Sequence, residues 1–208
     1  MKRFLAMSIL LILLLSACAE AIQTPAIDRK TPLYETVDDY LNRSAAEKTA
    51  IDTIANQYGF SPSQILLLKT TRKTWTDTCL EVAPISEICT PEEVPGYFML
   101  FYADYSIFEV HSDTSAQKIF ALNYLTPNAT PIDVAILLLA KQLKIPAGQI
   151  LIQSSDQVDW PDSCLGITND NLVCIPVTTP GYQIQLEALG NVYVFHADIY
   201  GSRLIPLQ

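Results

Sequence analysis

Trp75-Thr76-Asp77-Thr78-Cys79-Leu80 returns 85 residues later as Trp160-Pro161-Asp162-Ser163-Cys164-Leu165. The same offset carries Cys89 to Cys174, Pro91 to Pro176 and Pro95-Gly96-Tyr97 to Pro180-Gly181-Tyr182. It also carries His111 to His196 and Asp113 to Asp198. Upstream it aligns Gln64-Ile65-Leu66 with Gln149-Ile150-Leu151, Ala50-Ile51 with Ala135-Ile136, and Ala55 with Ala140. Trp, Cys, Gly and His held in one ungapped register identify a tandem duplication.

Each copy opens with a helix signal. Ser44-Ala45-Ala46-Glu47 is a capping box, followed by Ala50, Ile51, Ile54, Ala55 and Tyr58 at helical spacing. In the second copy Thr130-Pro131-Ile132-Asp133 starts the turn, and Ile136 to Ala140 is apolar almost all round. That predicts a more deeply buried second helix. Ser61-Pro62-Ser63 and Pro146-Ala147-Gly148 break the helices, and strands are expected at about 64–71 and 149–155. The stretch from each Trp to the second Cys, rich in proline, reads as a long loop. Hairpins follow, Tyr97–Tyr102 with Ser106–His111 and Tyr182–Leu186 with Val192–His196. The expected fold class is α+β, a tandem duplication of a helix–strand–disulfide loop–β-hairpin module with antiparallel sheets. Residues 44–113 form module 1 and 130–198 module 2, with a linker at 114–129 and a tail at 199–208 that adds an edge strand.

Cys79 and Cys89 have the same ten-residue separation as Cys164 and Cys174, which predicts one disulfide inside each copy. Small modules lean on such staples, and a loop of this size gains about 3 kcal/mol from one. A four-cysteine zinc site usually presents close CxxC pairs instead. Of five cysteines this leaves Cys18.

The amino end accounts for it. Lys2 and Arg3 precede an apolar run, Phe4 to Leu15, of about twelve residues. A helix crossing a bilayer needs about twenty, so the run reads as the core of a signal peptide covering residues 1–17. Leu15-Ser16-Ala17-Cys18 resembles the bacterial lipobox. The resemblance implies diacylglycerol on the Cys18 thiol, cleavage before it and acylation of the new amino terminus, palmitate being the typical acyl group. Two or three chains hold a protein to a membrane where one holds it only marginally. Residues 18–43 then comprise the lipidated Cys18, a tether and a short helix near 33–42. Ala19 permits the outer membrane or cell surface, so the expected location is the extracytoplasmic face of the cell envelope.

Composition limits the function classes. The chain is 50% hydrophobic and 17% charged, which excludes disorder for most of it. A formal charge of −9, which becomes −11 without Lys2 and Arg3, argues against nucleic-acid binding. The run Trp160 to Gly166, with Cys174, Pro180-Gly181-Tyr182 and His196-x-Asp198, resembles a module of exported bacterial proteins and lipoproteins. The resemblance spans both halves and carries no activity to transfer. The first copy departs from it at Glu81, where the second has Gly166.

The candidate ligand-facing residues are Trp75, Asp77, His111, Asp113, Trp160, Asp162, His196 and Asp198. An indole either roofs a groove or covers core. Asp77 and Asp162 either face a ligand or accept turn N–H groups. Along a strand, His111 and Asp113 share a face, as do His196 and Asp198, so each pair is a potential base or metal-ligand couple. No nucleophile motif accompanies them, and GxSxG, HExxH, Walker and EF-hand patterns are missing. The expectation is a lipid-anchored envelope protein without cofactor. It binds an envelope protein or small ligand and is held to the membrane through its anchor. The alternatives are a metal-dependent or hydrolytic enzyme using the His-x-Asp pairs, and a purely structural lipoprotein.

Overall fold

The computed structural model describes residues 37–82, 84, 87–168 and 173–207. The signal, the lipobox with Cys18, and the first part of the short helix lie outside them. Helix α1 is Val37–Leu41 and α2 is Ala45–Tyr58. The capping box forms as read: the Ser44 hydroxyl accepts from Glu47 N, and the Glu47 carboxylate accepts from Ser44 N at 2.9 Å. Gly59 closes the helix at φ +80°, a conformation that costs glycine nothing.

After a 3₁₀ turn, strands β1 (Leu66–Asp77), β2 (Pro91–Ala103), β3 (Ser106–Asp113) and β4 (Ile119–Leu122) form an antiparallel sheet in sequence order. Helix α3 (Pro131–Leu143) begins the second module, whose strands β5 (Leu151–Trp160), β6 (Thr179–Ala188), β7 (Asn191–Asp198) and β8 (Leu204–Pro206) repeat the order. The fold class is therefore α+β with a tandem duplication. Both cross-links form within their own module, Cys79–Cys89 and Cys164–Cys174, each with Cα atoms 5.3 Å apart.

The helices take different places. Ala50, Ile51 and Ile54 of α2 pack on Met99, Phe101, Phe108 and Val110, one face of the first sheet. Alternate residues point the other way, so Phe98, Leu100 and Ile107 reach a second core shared with α3. Helix α3 gives that core Val134, Ala135, Leu138 and Leu139, and Ile184, Leu186 and Phe195 of the second sheet close it. The layers run α2, first sheet, α3, second sheet. This is why α3 is apolar nearly all round while α2 carries one stripe.

Two expectations change. The first strand of each module runs past its expected end, β1 to Asp77 and β5 to Trp160, so the loop begins two residues after Trp75 and directly after Trp160. The linker at 114–129 contains β4, the fourth strand of the first sheet. The tail at 199–208 adds the expected edge strand, β8, and β4 is its counterpart at the 85-residue offset. The tail also ties the halves together. Ile107 N donates to Ser202 O at 2.9 Å and Leu204 N donates to Tyr105 O at 2.9 Å. The Tyr102 hydroxyl donates to Leu204 O at 2.9 Å, and burial pushes its pKa well above the ordinary tyrosine value, keeping it a donor.

Candidate functional site

The paired Trp and His residues meet in both modules. In the first, the Trp75 ring on β1 stacks on the His111 ring on β3 with centroids 4.1 Å apart. The indole N–H donates to Ser112 O at 3.0 Å. Gly96 lies between the strands they occupy, and a Cβ there would stand 1.9 Å from Ser112 O and 2.7 Å from Trp75 Nε1. That close approach is the reason for the repeated glycine. The second module repeats it: Trp160 stacks on His196 at 3.9 Å, its N–H donates to Ala197 O at 3.1 Å, and Gly181 fills the role of Gly96.

Each histidine clasps the cross-linked loop. His111 Nδ1–H donates to Leu80 O at 2.6 Å, and His196 Nδ1–H donates to Leu165 O at 2.8 Å. The aspartates two residues after each Trp shape that loop. Asp77 Oδ1 accepts from Cys79 N and Glu81 N, at 2.8 and 3.1 Å, and Asp162 Oδ1 accepts from Cys164 N and Gly166 N at the same two distances. Both loops then turn through positive φ, at Leu80 and Glu81 (56° and 60°) and at Leu165 and Gly166 (58° and 71°). Asp77 and Asp162 also approach the cysteine sulfurs of their loops, but those sulfurs are bonded to each other and offer no thiolates to a metal.

The His-x-Asp couples are not brought together. Asp113 accepts from Gln117 N at 3.0 Å and from the Ser115 hydroxyl, and Asp198 accepts from Ser202 N at 2.9 Å and from the Ser202 hydroxyl. Both carboxylates are spent on the turn that follows their strand. The carboxylate that meets His111 is Glu109, with Oε1 2.5 Å from Nε2 and one proton between them. Glu109 also accepts from Thr126 N at 3.0 Å and from its hydroxyl at 2.5 Å. The sequence signal for it was a Glu inside the apolar strand Ser106–Asp113, two residues before His111 and so on the same face. Val194 stands at this position in the second module, and there Gln183 Nε2 lies 3.4 Å from His196 Nε2.

Trp75, Glu109 and His111 are fully buried, and Trp160 and His196 are 6% and 7% exposed. Neither ring pair presents a reactive atom to a substrate. Three open depressions lie elsewhere among the described residues. One of about 440 Å³ sits over Pro95-Gly96 and is lined by Arg72 and Lys73. Its counterpart over Pro180-Gly181, about 190 Å³, is lined by Gln157, Val158 and Asp159. A third, about 440 Å³, lies where the modules join, between Ile132, Tyr182, Ile199 and Tyr200.

Fold and site together define a protein of two stacked α+β modules, each built around a stapled loop clasped by a Trp–His pair. The chain belongs to the family described as a domain of unknown function, DUF8738, whose model matches it twice, over residues 47–121 and 132–206. These bounds take in all of β8 and all but the last residue of β4. No curated protein and no solved structure matches the chain.

Proposed function

We propose that this protein is a lipid-anchored, extracytoplasmic binding protein of the bacterial envelope. The observation that carries the reading is the cysteine economy. Four of the five cysteines are consumed in pairs inside the modules, and the fifth, Cys18, ends the Leu15-Ser16-Ala17-Cys18 run. Two structural disulfides fit an oxidising compartment outside the cytoplasm. Among the described residues no helix is long and apolar enough to cross a membrane, and a lipid on Cys18 supplies the attachment.

Binding rather than catalysis is favoured by where the chemistry-bearing groups point. Both histidines turn inward onto loop carbonyls, while the depressions are lined by hydroxyl, aliphatic and a few charged groups. A cleft at a module junction is a common ligand position. The anchor is tested by labelling producing cells with an alkyne fatty acid and separating the extract by detergent phase partition. The label and the detergent-phase partition are expected for the native chain and lost in Cys18→Ala. A Cys18→Ala protein that still labels and partitions with detergent would sink the proposal.

A further inference from the structure

Three departures of the first module from the repeat are connected in space. Lys73, Glu81 and Glu109 stand where the second module has Val158, Gly166 and Val194. All three belong to one ring of polar contacts. His111 Nδ1–H donates to Leu80 O at 2.6 Å, and His111 Nε2 lies 2.5 Å from Glu109 Oε1. Glu109 accepts from the Thr126 amide at 3.0 Å, and the Thr126 hydroxyl accepts from Asn128 Nδ2 at 2.7 Å. Lys73 Nζ donates to Asn128 Oδ1 and, at 2.8 Å, to Glu81 Oε2. Glu81 follows Leu80 in the chain, which closes the ring. The second module keeps the contact of His196 with Leu165 O but has no side chain at these three positions to build the rest.

The ring joins two parts of the molecule with different places in it. Leu80 and Glu81 lie in the stapled loop between Cys79 and Cys89. Thr126 lies in the linker, and with Leu125, Pro127 and Ala129 it walls the depression where the modules join. That wall runs directly into Thr130, the N-cap of α3. The stapled loop therefore holds one wall of a depression that none of its own residues lines. The staple is approachable from one side, since Cys79 is fully buried and Cys89 is exposed.

We propose that the first staple is a redox-sensitive latch on the junction depression. The thiolate of a dithiol reductant attacks Cys89 Sγ, and the S–S bond breaks so that Cys79 leaves as a thiolate and takes up a proton. The second thiol then displaces Cys89, leaving the dithiol oxidised to a disulfide and both cysteines reduced. A loop relieved of its closure opens more often. Each opening takes Leu80 O from His111 and Glu81 from Lys73, so Glu109 and Asn128 lose the partners that fix them and the linker wall is released. The latch gives the binding reading above a regulator and rests on it for the use of the depression, not for the coupling.

The test follows hydrogen exchange of the Thr126 amide by NMR in the full chain. Cys79→Ser with Cys89→Ser should speed that exchange about tenfold or more, and Cys164→Ser with Cys174→Ser should change it by less than about twofold. Should the first pair of substitutions prevent folding, the native chain is instead titrated with dithiothreitol until alkylation and mass spectrometry show the first staple open. Coupling is reciprocal, so Thr126→Val with Asn128→Ala should speed dithiothreitol reduction of Cys79–Cys89 about threefold or more and leave that of Cys164–Cys174 unchanged. A native-like Thr126 amide after loss of the first staple would overturn the proposal. Equal acceleration by loss of either staple would overturn it too, as general loosening, and so would a reduction rate that ignores the linker substitutions. None of these outcomes depends on a ligand in the depression, so the latch and the binding reading fail separately.

Discussion

Gly96 and Gly181 hold the most constrained positions in the molecule, for a reason unrelated to turn formation. Each lets an indole N–H reach the carbonyl of the neighbouring strand, and any side chain would collide with backbone at about 2 Å. Overpacking against backbone cannot be relieved by a rotamer change, so Gly181→Ala is expected to cost about 1–3 kcal/mol or more. Gly148, whose Cβ direction is empty, is the matched control, and Gly148→Ala should leave the urea midpoint nearly unchanged. Glu109 is the second sensitive residue. Glu109→Val, which installs the residue of the second module, leaves the Thr126 amide and hydroxyl and the His111 ring without their acceptor. Each buried group stranded in this way costs about 1–3 kcal/mol, so a large drop in the urea midpoint is expected. An unchanged midpoint would mean that water replaces the carboxylate.

Among the elements, α3 is the one on which both sheets depend. Leu138 is fully buried in the core shared by both modules, and Leu138→Ala should cost about 2–5 kcal/mol. Asp52 on the exposed side of α2 is the control, where an Ala substitution stays within about 0.5 kcal/mol. The difference between the two helices was readable from residues 136–140, whose lack of a polar side has no place on a surface. The capping boxes at Ser44 and Thr130 and the two staples were equally legible, because each depends on local spacing. The length of β1 and β5 was not. Pro91, Pro95 and Pro180 read as loop, yet they lie in β2 and β6, on the stretches before the ladders with β3 and β7 begin. Pairing with β3 begins at Gly96 and pairing with β7 at Gly181, so the missing N–H of proline costs no ladder bond there. β4 was hidden for another reason: Ile119-Phe120 and Leu204-Ile205 share the repeat register but only apolar character, too weak a likeness to mark a strand. At the site, spacing pointed His111 toward Asp113, and only the fold shows that Glu109 holds it.

At the scale of the whole molecule, the joint between modules is one that repeats by translation, with the face of one sheet receiving the next module's helix. The outer face of the second sheet is nevertheless not built to receive a further helix. Phe98, Leu100 and Tyr102, which face α3, correspond to Gln183, Gln185 and Glu187 on the outer side of the second sheet. Polar outer faces on terminal repeats keep such stacks from growing. Restoring the apolar set with Gln183→Phe and Gln185→Leu is expected to produce concentration-dependent self-association by light scattering. A strictly monomeric variant would show that the amides do not guard this face. The tail adds a constraint of order. Ser202 and Leu204 belong to the last seven residues, yet they complete the hydrogen bonding of Ile107 and Tyr105 near the middle of the chain. A polypeptide made amino end first therefore leaves Ile107 N and Tyr105 O without these partners until Ser202 and Leu204 have been added. Any fragment that ends before Ser202 carries that unfinished edge, so the turn after the second module's hairpin is what completes the first module's hairpin.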